Sequence, residues 1–212
     1  MRPKIQVALD LLRIQDALNI ASKAAEYIDY LEAGTPLIKA EGLRAVTLLK
    51  KEFGDKVVVA DMKTMDTGFL EASIAYEAGA DYATVMAAAD IGTVSGAVEA
   101  RDKYDKGIMV DLLGVKNLEI ARELDRLKPD YLLIHSGIDM QHRGIMPFEP
   151  VKKLSNMGLS AKIGVAGGLN KENIKGLKGL KVDLIIVGGY ITKADDPGRA
   201  AKEVLEAVEE IF

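Results

Sequence analysis

The order of apolar and polar positions along the chain predicts strands and helices in strict alternation. Short apolar runs rich in β-branched residues are each followed by a longer segment whose apolar positions recur at helical spacing. The run at 57–60 is typical of a strand buried on both faces, as in a parallel sheet. We expect eight strands, at 5–9, 28–31, 56–60, 82–86, 107–110, 131–134, 161–165 and 184–187.

The segments between these strands have the spacing of amphipathic helices. We expect helices at 15–27, 43–53, 67–78, 91–104, 118–127, 148–157, 172–180 and 197–211. Eight strand–helix units in 212 residues indicate a compact (β/α)₈ TIM barrel formed by one α/β domain, 1–212. A doubly wound open sheet is the alternative, but it would bind its ligand at one switch point, whereas here polar residues end nearly every strand.

Composition removes several classes of protein. Hydrophobic residues make up 49% of the chain, the net charge is −4, and basic residues form no blocks, which argues against a nucleic-acid partner. The chain has no cysteine, so disulfides and thiolate metal sites are excluded. No segment reaches the roughly 18 apolar residues of a membrane helix, and the N-terminal apolar run is too short for a signal peptide. We expect a cytoplasmic protein with no membrane partner.

The segment that ends the third strand carries the densest set of charges. Asp61, Lys63 and Asp66 follow the apolar run directly. Side chains alternate along a strand, so Asp61 and Lys63 would point to the same side. In a parallel barrel this is the end where ligands bind. The alternative is a solvated charge cluster without a ligand.

Carboxylates also end other strands and suggest a metal site. Glu32 ends the second strand beside Asp61, and Asp10 and Asp111 end the first and fifth. Two carboxylates completed by substrate oxygens suit Mg²⁺, and Mn²⁺ has similar preferences. Zinc is improbable because the chain has no cysteine and two histidines. The alternative is that Glu32 only pairs with Lys63.

One histidine is placed for acid–base chemistry. His135 ends the sixth strand, and histidine is the side chain best suited to accept a proton near neutral pH. A structural role is the alternative. His142 and Arg143 follow in the next loop, where a solvated loop and a contact with substrate are both open.

Two glycine pairs end the last two strands. Gly167 and Gly168 follow the seventh strand, and Gly188 and Gly189 follow the eighth. Loops at these two positions of a barrel often bind phosphate through backbone N–H groups, and glycine allows the backbone a close approach. The alternative is that the glycines serve tight turns alone. The residues therefore favour an enzyme acting on a small phosphate ester, with charge developing on an oxygen next to a carbonyl.

Three motifs resemble those of the 3-hexulose-6-phosphate synthases, within the orotidine 5′-monophosphate decarboxylase superfamily. The resemblance runs from Gln6 to the last helix and is carried by Asp61-x-Lys63-x-x-Asp66-Thr67-Gly68, Leu31-Glu32-Ala33-Gly34-Thr35-Pro36 and Val187-Gly188-Gly189-x-Ile191-Thr192. It implies a homodimer in which Asp66 and Thr67 enter the partner's site. It also implies a reversible aldol addition of formaldehyde to D-ribulose 5-phosphate.

The resemblance also implies roles for the candidate residues. Glu32 and Asp61 would bind Mg²⁺, His135 would remove the C1 proton, and Lys63 would stabilise the enediolate. Asp10 and Asp111 would orient Lys63 or the sugar hydroxyls. The backbone of the two glycine pairs would hold the phosphate of the sugar.

Three other functions stay open. The 3-keto-L-gulonate-6-phosphate decarboxylases share the metal and the enediolate, but Asp111 stands where they usually have Glu, Gly189 stands where they tend to have Arg, and their downstream Arg is missing after His135. Orotidylate decarboxylases usually continue with Ile-Pro where this chain has Thr67-Gly68. A barrel that only senses a sugar phosphate is the non-enzyme alternative. Within the resemblance, Tyr190 and the basic loop at 141–143 are departures.

Overall fold

The computed structural model describes residues 2–212 and confirms the (β/α)₈ barrel. Within this range eight parallel strands pair in chain order, and the last pairs with the first to close the barrel. The strands are β1 (Lys4–Leu9), β2 (Tyr30–Ala33), β3 (Val57–Thr64), β4 (Tyr82–Met86), β5 (Gly107–Asp111), β6 (Tyr131–His135), β7 (Lys162–Ala166) and β8 (Leu184–Val187). The second strand begins two residues later than predicted, which places Glu32 inside it.

The helices form the outer layer. They are α1 (Ile14–Ala24), α2 (Thr35–Glu41), α3 (Arg44–Glu52), α4 (Gly68–Glu77), α5 (Ile91–Tyr104), α6 (Ile120–Arg126), α7 (Ile138–Gln141), α8 (Phe148–Ser155), α9 (Gly189–Thr192) and α10 (Pro197–Ile211). Within residues 2–212 no helix is long and apolar enough to cross a membrane. The cytoplasmic location stays a prediction.

Two of the predicted helices were wrong in extent. The helix expected at 172–180 is a single 3₁₀ turn, Ile174–Leu177, because Gly176 and Gly179 interrupt the segment and Gly179 has a φ of 77°. The helix expected at 15–27 ends at Ala24 and continues as a 3₁₀ turn, Ala25–Tyr27. The short helices α2, α7 and α9 were not predicted, since segments of this length carry too few turns to show a period.

The strands separate two apolar cores. Val58 packs outward among the residues beneath the helices, whereas Val59 packs inward in the barrel interior. The interior is filled near its N-terminal end by three tyrosines. The ring of Tyr82 lies 5.8 Å from those of both Tyr30 and Tyr131. The polar groups of the interior therefore lie at the opposite, C-terminal end, where ligands of this fold bind.

Four aspartates repeat at the N-terminal end of the barrel. Each precedes an even-numbered strand, and its carboxylate accepts the backbone N–H of a residue early in the preceding odd-numbered strand. The pairs are Asp29 with Ile5, Asp81 with Val58, Asp130 with Ile108 and Asp183 with Ile163, at 2.8–2.9 Å. These hydrogen bonds fix the register of successive strand pairs at the N-terminal end of the barrel, opposite the end where ligands of this fold bind.

Asp81 offers a test of this repeat. It also accepts from the ammonium groups of Lys50 at 2.7 Å and Lys106 at 3.1 Å. Burial raises the pKa of Asp81, but these hydrogen bonds outweigh it and hold the pKa below its ordinary value of 3.8. We expect Asp81→Asn to lower the free energy of unfolding at pH 7 by about 2 kcal/mol, measured by urea denaturation.

The pH dependence of that loss follows from the sign of the shift. Because the folded pKa is depressed, the stabilisation is complete above the unfolded value of 3.8 and is lost as the pH falls through the folded value. The two proteins should therefore converge in stability in acid. The control is Asp55→Asn, at an exposed turn, which should change stability by less than about 0.5 kcal/mol. Equal losses in both variants would contradict the account.

Candidate active site

Six of the residues singled out in the sequence lie together at the C-terminal mouth of the barrel. They are Asp10, Glu32, Asp61, Lys63, Asp111 and His135, called the mouth cluster below, and ion pairs, hydrogen bonds or mutual electrostatic effects connect them all. Asp10 lies against the glycine after β2, since a Cβ added at Gly34 would fall 2.2 Å from Asp10 Oδ1. The barrel thus gathers strand ends that are far apart in the chain.

Lys63 is the cation at the centre of the mouth cluster. Its Nζ lies 2.7 and 2.8 Å from the two carboxylate oxygens of Asp61 and 3.4 Å from Oδ2 of Asp111. Burial lowers the pKa of Lys63, but the charges of Asp61 and Asp111 outweigh it, and the pKa stays above its ordinary value. Lys63 is therefore a fixed positive charge at neutral pH.

Asp61 and Lys63 face each other, but regular strand alternation is not the reason. Ala60 pairs with Ala83, whereas Thr64 pairs with Val85, so four residues of β3 advance against two of β4. Lys63 lies in this irregularity with a φ of 46°, which is uncommon for a residue other than glycine. The segment predicted as the loop after the third strand is a bulged extension of β3.

Hydroxyl groups that sequence reasoning missed hold Asp61. Thr84 Oγ1 donates to Asp61 Oδ1 at 2.9 Å, and Thr35 Oγ1 donates to Asp61 Oδ2 at 2.7 Å. Thr84 occupies an inward-facing position of β4, whose neighbours Ala83 and Val85 pack under the helices. Strand parity could have indicated Thr84, but a threonine in a strand is too common to single out.

In the part of the chain that the structure describes, no ion pair joins Glu32 or Asp10 to a positive side chain. Burial and the neighbouring charge of Asp61 raise the pKa of both carboxyl groups, that of Glu32 strongly. Glu32 is not paired with Lys63, since its hydrogen-bond partner is Gln6, whose Nε2 lies 2.5 Å from Glu32 Oε2. Gln6 Oε1 is buried and without a hydrogen-bond partner in the described part of the chain. Sequence reasoning also did not identify Gln6 as a site residue, although it is the one polar residue in the apolar run at 5–9.

This arrangement fits a hard cation. The mouth cluster holds four carboxyl groups and one lysine, and a further positive charge would relieve the repulsion among Asp10, Glu32 and Asp61. Among residues 2–212 no three His, Cys, Asp or Glu side chains are grouped closely enough to hold a metal by themselves. Mg²⁺ usually takes one or two protein carboxylates and fills its other positions with water or substrate oxygens. Glu32 and Asp61 are the pair predicted for this role, which stays a prediction.

His135 is oriented by Asp111. The imidazole Nδ1 lies 2.8 Å from Asp111 Oδ2, and a carboxylate can only accept, so the proton of neutral His135 belongs on Nδ1. Burial raises the pKa of Asp111, but His135 and Lys63 outweigh it and hold the pKa below its ordinary value. Nε2 is thereby left as the basic nitrogen, and the side chain of His135 is 22% exposed. The geometry favours a general base over a purely structural histidine.

The structural requirement for glycine differs between the two glycine pairs. Gly167 and Gly168 have φ values of 111° and 67°, and a Cβ at Gly167 would lie 2.2 Å from the Ser136 carbonyl oxygen. Turn geometry alone therefore requires glycine there. At Gly188 and Gly189 φ is not in the left-handed region, and an added Cβ would meet nothing closer than 3.7 Å. No protein atom demands glycine at this second pair.

Asp66 lies outside the mouth cluster of its own chain. Its carboxylate is exposed and accepts the backbone N–H of Thr67 at 2.7 Å. Thr67 has a φ of 51° and immediately precedes α4. Within residues 2–212 no hydrogen bond or ion pair joins Asp66 to the mouth cluster. Its predicted role in a partner's site stays a prediction.

Within residues 2–212, no hydrogen bond or ion pair joins the departures from the family pattern to the mouth cluster. His142 and Arg143 follow α7 on the surface, and Arg143 Nε donates to the Asp139 carbonyl at 3.3 Å. Tyr190 turns outward in α9, and its hydroxyl donates to Glu203 at 2.8 Å. Tyr190 therefore does not fill the space beside Gly189.

The orientation of His135 can be tested directly. We expect Asp111→Asn to weaken the preference for the Nδ1–H tautomer, because an amide can donate as well as accept. The measurement is the ¹⁵N shift of the imidazole at a pH where it is neutral. The chain has two histidines, and His142→Gln assigns the signals. An unchanged tautomer in Asp111→Asn would contradict the assignment.

Comparison with known proteins gives the family. The model of the orotidine 5′-phosphate decarboxylase / HUMPS family matches residues 3–204. A 3-hexulose-6-phosphate synthase from Mycobacterium gastri is 43% identical over 208 residues, 97% of this chain and 99% of that protein. The crystal structure of 3-hexulose-6-phosphate synthase from Salmonella typhimurium has a TM-score of 0.95 at 33% identity, over 99% of this chain and 100% of that one.

A decarboxylase is also similar. The crystal structure of 3-keto-L-gulonate-6-phosphate decarboxylase from Vibrio cholerae has a TM-score of 0.88 at 30% identity and covers 100% of both chains. The family model and these relatives match over nearly the whole length of the chain. The chain belongs to the orotidine 5′-phosphate decarboxylase / HUMPS family of enzymes.

Proposed function

We propose that this enzyme is a 3-hexulose-6-phosphate synthase. It adds formaldehyde reversibly to D-ribulose 5-phosphate and gives D-arabino-3-hexulose 6-phosphate. The observation that carries the proposal is Asp111, which lies between an oriented histidine and a fixed lysine at one barrel mouth. A proton acceptor and an oxyanion stabiliser in contact with one carboxylate suit proton abstraction beside a carbonyl. The similar proteins from Mycobacterium gastri and Salmonella typhimurium carry the same name.

In the proposed aldol addition, residues of the mouth cluster move the proton and stabilise the charge. His135 Nε2 removes a proton from C1 of the sugar, and the electron pair moves to the C2 carbonyl oxygen to give an enediolate. Lys63 stabilises the negative charge on that oxygen. The C2 oxygen then re-forms the carbonyl, and the C1=C2 π electrons form the bond from C1 to the formaldehyde carbon. The formaldehyde π electrons move to its oxygen, and the imidazolium of His135 returns the proton there. Asp10, which lies against Gly34, would orient the sugar hydroxyls.

Glu32 and Asp61 would hold the metal, which we propose to be Mg²⁺, with Mn²⁺ as a substitute. The raised pKa of Glu32, caused by its burial and by Asp61, supports this assignment. When bound, the ion supplies Lewis-acid stabilisation of the substrate oxygens. Thr35 and Thr84 hold the Asp61 carboxylate in place for this role.

The phosphate of the sugar is assigned to the loops after β7 and β8. Gly188 and Gly189 have no packing reason to be glycine, so the open space beside their backbone suits a ligand that approaches closely. The backbone of Gly167 and Gly168, after β7, would also contact the phosphate. Asn173 Nδ2 donates to the Gly168 carbonyl at 2.8 Å and fixes that peptide.

We also propose a homodimer in which Asp66 completes the partner's site. The surface around Asp66 is apolar on and beside α4, with exposed fractions of 53% for Met65, 59% for Leu70, 38% for Ile74 and 39% for Ile91. Exposed apolar side chains clustered in this way mark association surfaces. Asp66 lies beside this surface and outside its own mouth cluster.

The proposed reaction predicts metal-dependent consumption of formaldehyde. With D-ribulose 5-phosphate and Mg²⁺ present, formaldehyde should disappear, and EDTA should stop it until Mg²⁺ is restored in excess. Asp61→Asn should lose about 100-fold or more in rate while keeping the circular dichroism of the fold. An undiminished rate in that variant at saturating Mg²⁺ would sink the metal assignment. Release of CO₂ from 3-keto-L-gulonate 6-phosphate instead would assign the decarboxylase function.

Mixed dimers test whether Asp66 acts across the interface. Asp66→Asn and His135→Ala should each be inactive alone. Co-expressed, they should regain about a quarter of wild-type activity, because half of the dimers are mixed and each has one intact site. The control co-expresses Lys63→Ala with His135→Ala. Both residues belong to the mouth cluster of their own chain, so each site of a mixed dimer lacks one of them and no activity should return. No recovery for the Asp66 pair would contradict a role in the partner's site.

A further inference from the structure

The conformation of Lys63 requires support from outside its own strand. Its φ of 46° lies in a region that non-glycine residues rarely adopt, and such conformations persist where surrounding contacts fix them. The bulge between Ala60 and Thr64 removes Lys63 from the regular pairing of β3 with β4. The backbone N–H of Lys63 therefore needs an acceptor other than a strand carbonyl.

Thr84 supplies that acceptor and closes a ring of hydrogen bonds. The Lys63 N–H donates to Thr84 Oγ1 at 2.9 Å. Because that N–H can only donate, the hydroxyl proton of Thr84 is free for Asp61 Oδ1, also at 2.9 Å. Asp61 Oδ1 in turn accepts from Lys63 Nζ at 2.8 Å. One buried hydroxyl thus contacts both the strained backbone of Lys63 and the carboxylate that binds its ammonium group.

The burial of this ring makes the hydroxyl hard to replace. Thr84 is 3% exposed and Asp61 is 4% exposed, so water has little access to either. A valine at position 84 would keep the shape of the side chain but leave the Lys63 N–H and Asp61 Oδ1 each short of one partner. The bulge would be free to relax, and the ammonium group would move with it.

We propose that Thr84 is a positioning residue whose hydroxyl fixes the Lys63 bulge and so places Lys63 Nζ for the chemical step. The proposal rests on the proposed function, in which Lys63 stabilises the enediolate. It assigns to Thr84 no contact with the phosphate loops. Removing the Thr84 hydroxyl should therefore lower kcat and should change the affinity for the sugar phosphate much less.

The test compares Thr84→Val with Thr84→Ser. Thr84→Val should lower kcat for formaldehyde consumption, and C1 proton exchange of D-ribulose 5-phosphate in D₂O, by about 10- to 100-fold, with KM for the sugar changed less than about threefold. Thr84→Ser restores the hydroxyl and should recover most of the rate. Equal rates for wild type and Thr84→Val, or no rescue by serine, would overturn the proposal.

Thr64→Val is the matched control. Thr64 is equally buried, lies next to Lys63 in β3, and its hydroxyl donates to Glu71 at 2.6 Å, away from Asp61 and Lys63. The same chemical change there should lower the thermal unfolding temperature but leave kcat within about twofold. If both valine variants lost the same rate, Thr84 would have only a structural role.

A crystal structure of Thr84→Val separates this proposal from the proposed function. We expect Lys63 to leave the positive-φ region and its Nζ to move relative to Asp111. An unchanged Lys63 backbone and Nζ position would overturn the positioning role whatever the substrate is. If wild-type protein failed to exchange the C1 proton, the proposed function would fall, and this structure would still decide the role of Thr84.

Discussion

An ammonium group held between two buried carboxylates is the interaction on which the mouth of this barrel depends. Lys63 satisfies Asp61 directly and Asp111 at a longer distance, and Asp111 uses its other contact to orient His135. Glu32 and Asp10 then remain as carboxylates without a cation. The one lysine of the mouth cluster therefore leaves negative charge that it does not neutralise, as the raised pKa values of Glu32 and Asp10 indicate.

The N-terminal end of the barrel contains the contacts that stabilise the fold, and the C-terminal end contains the groups suited to chemistry. At the N-terminal end, tyrosine rings fill the interior, and four aspartates bind backbone N–H groups of preceding strands. These contacts are satisfied within the chain. At the C-terminal end, burial and the charge of Asp61 raise the pKa values of Asp10 and Glu32, and Gln6 Oε1 has no hydrogen-bond partner in the described residues. Buried polar groups without a hydrogen-bond or ion-pair partner are typical of sites that a ligand completes.

Backbone conformation contributes to the site as much as side-chain identity. Lys63 and Thr67 both adopt positive φ within a few residues, at the junction of β3 and α4. The first turns a lysine back onto Asp61, and the second leads Asp66 away from the mouth to the exposed apolar surface. Strain at this junction is therefore part of how one short segment serves two surfaces.

The sequence by itself determined the alternation of strands and helices, the closed barrel and the strand ends that carry charge, because hydrophobic periodicity and burial are local properties. The sequence also indicated the two glycine pairs. It did not indicate that the Ser136 carbonyl leaves no room for a Cβ at Gly167, whereas no such contact occurs at Gly189. The β3 bulge, the threonine hydroxyls on Asp61 and the Gln6–Glu32 contact were decided by tertiary structure. Each depends on which residues of neighbouring strands lie side by side, and strand register is set by the closure of the whole barrel rather than by any single segment.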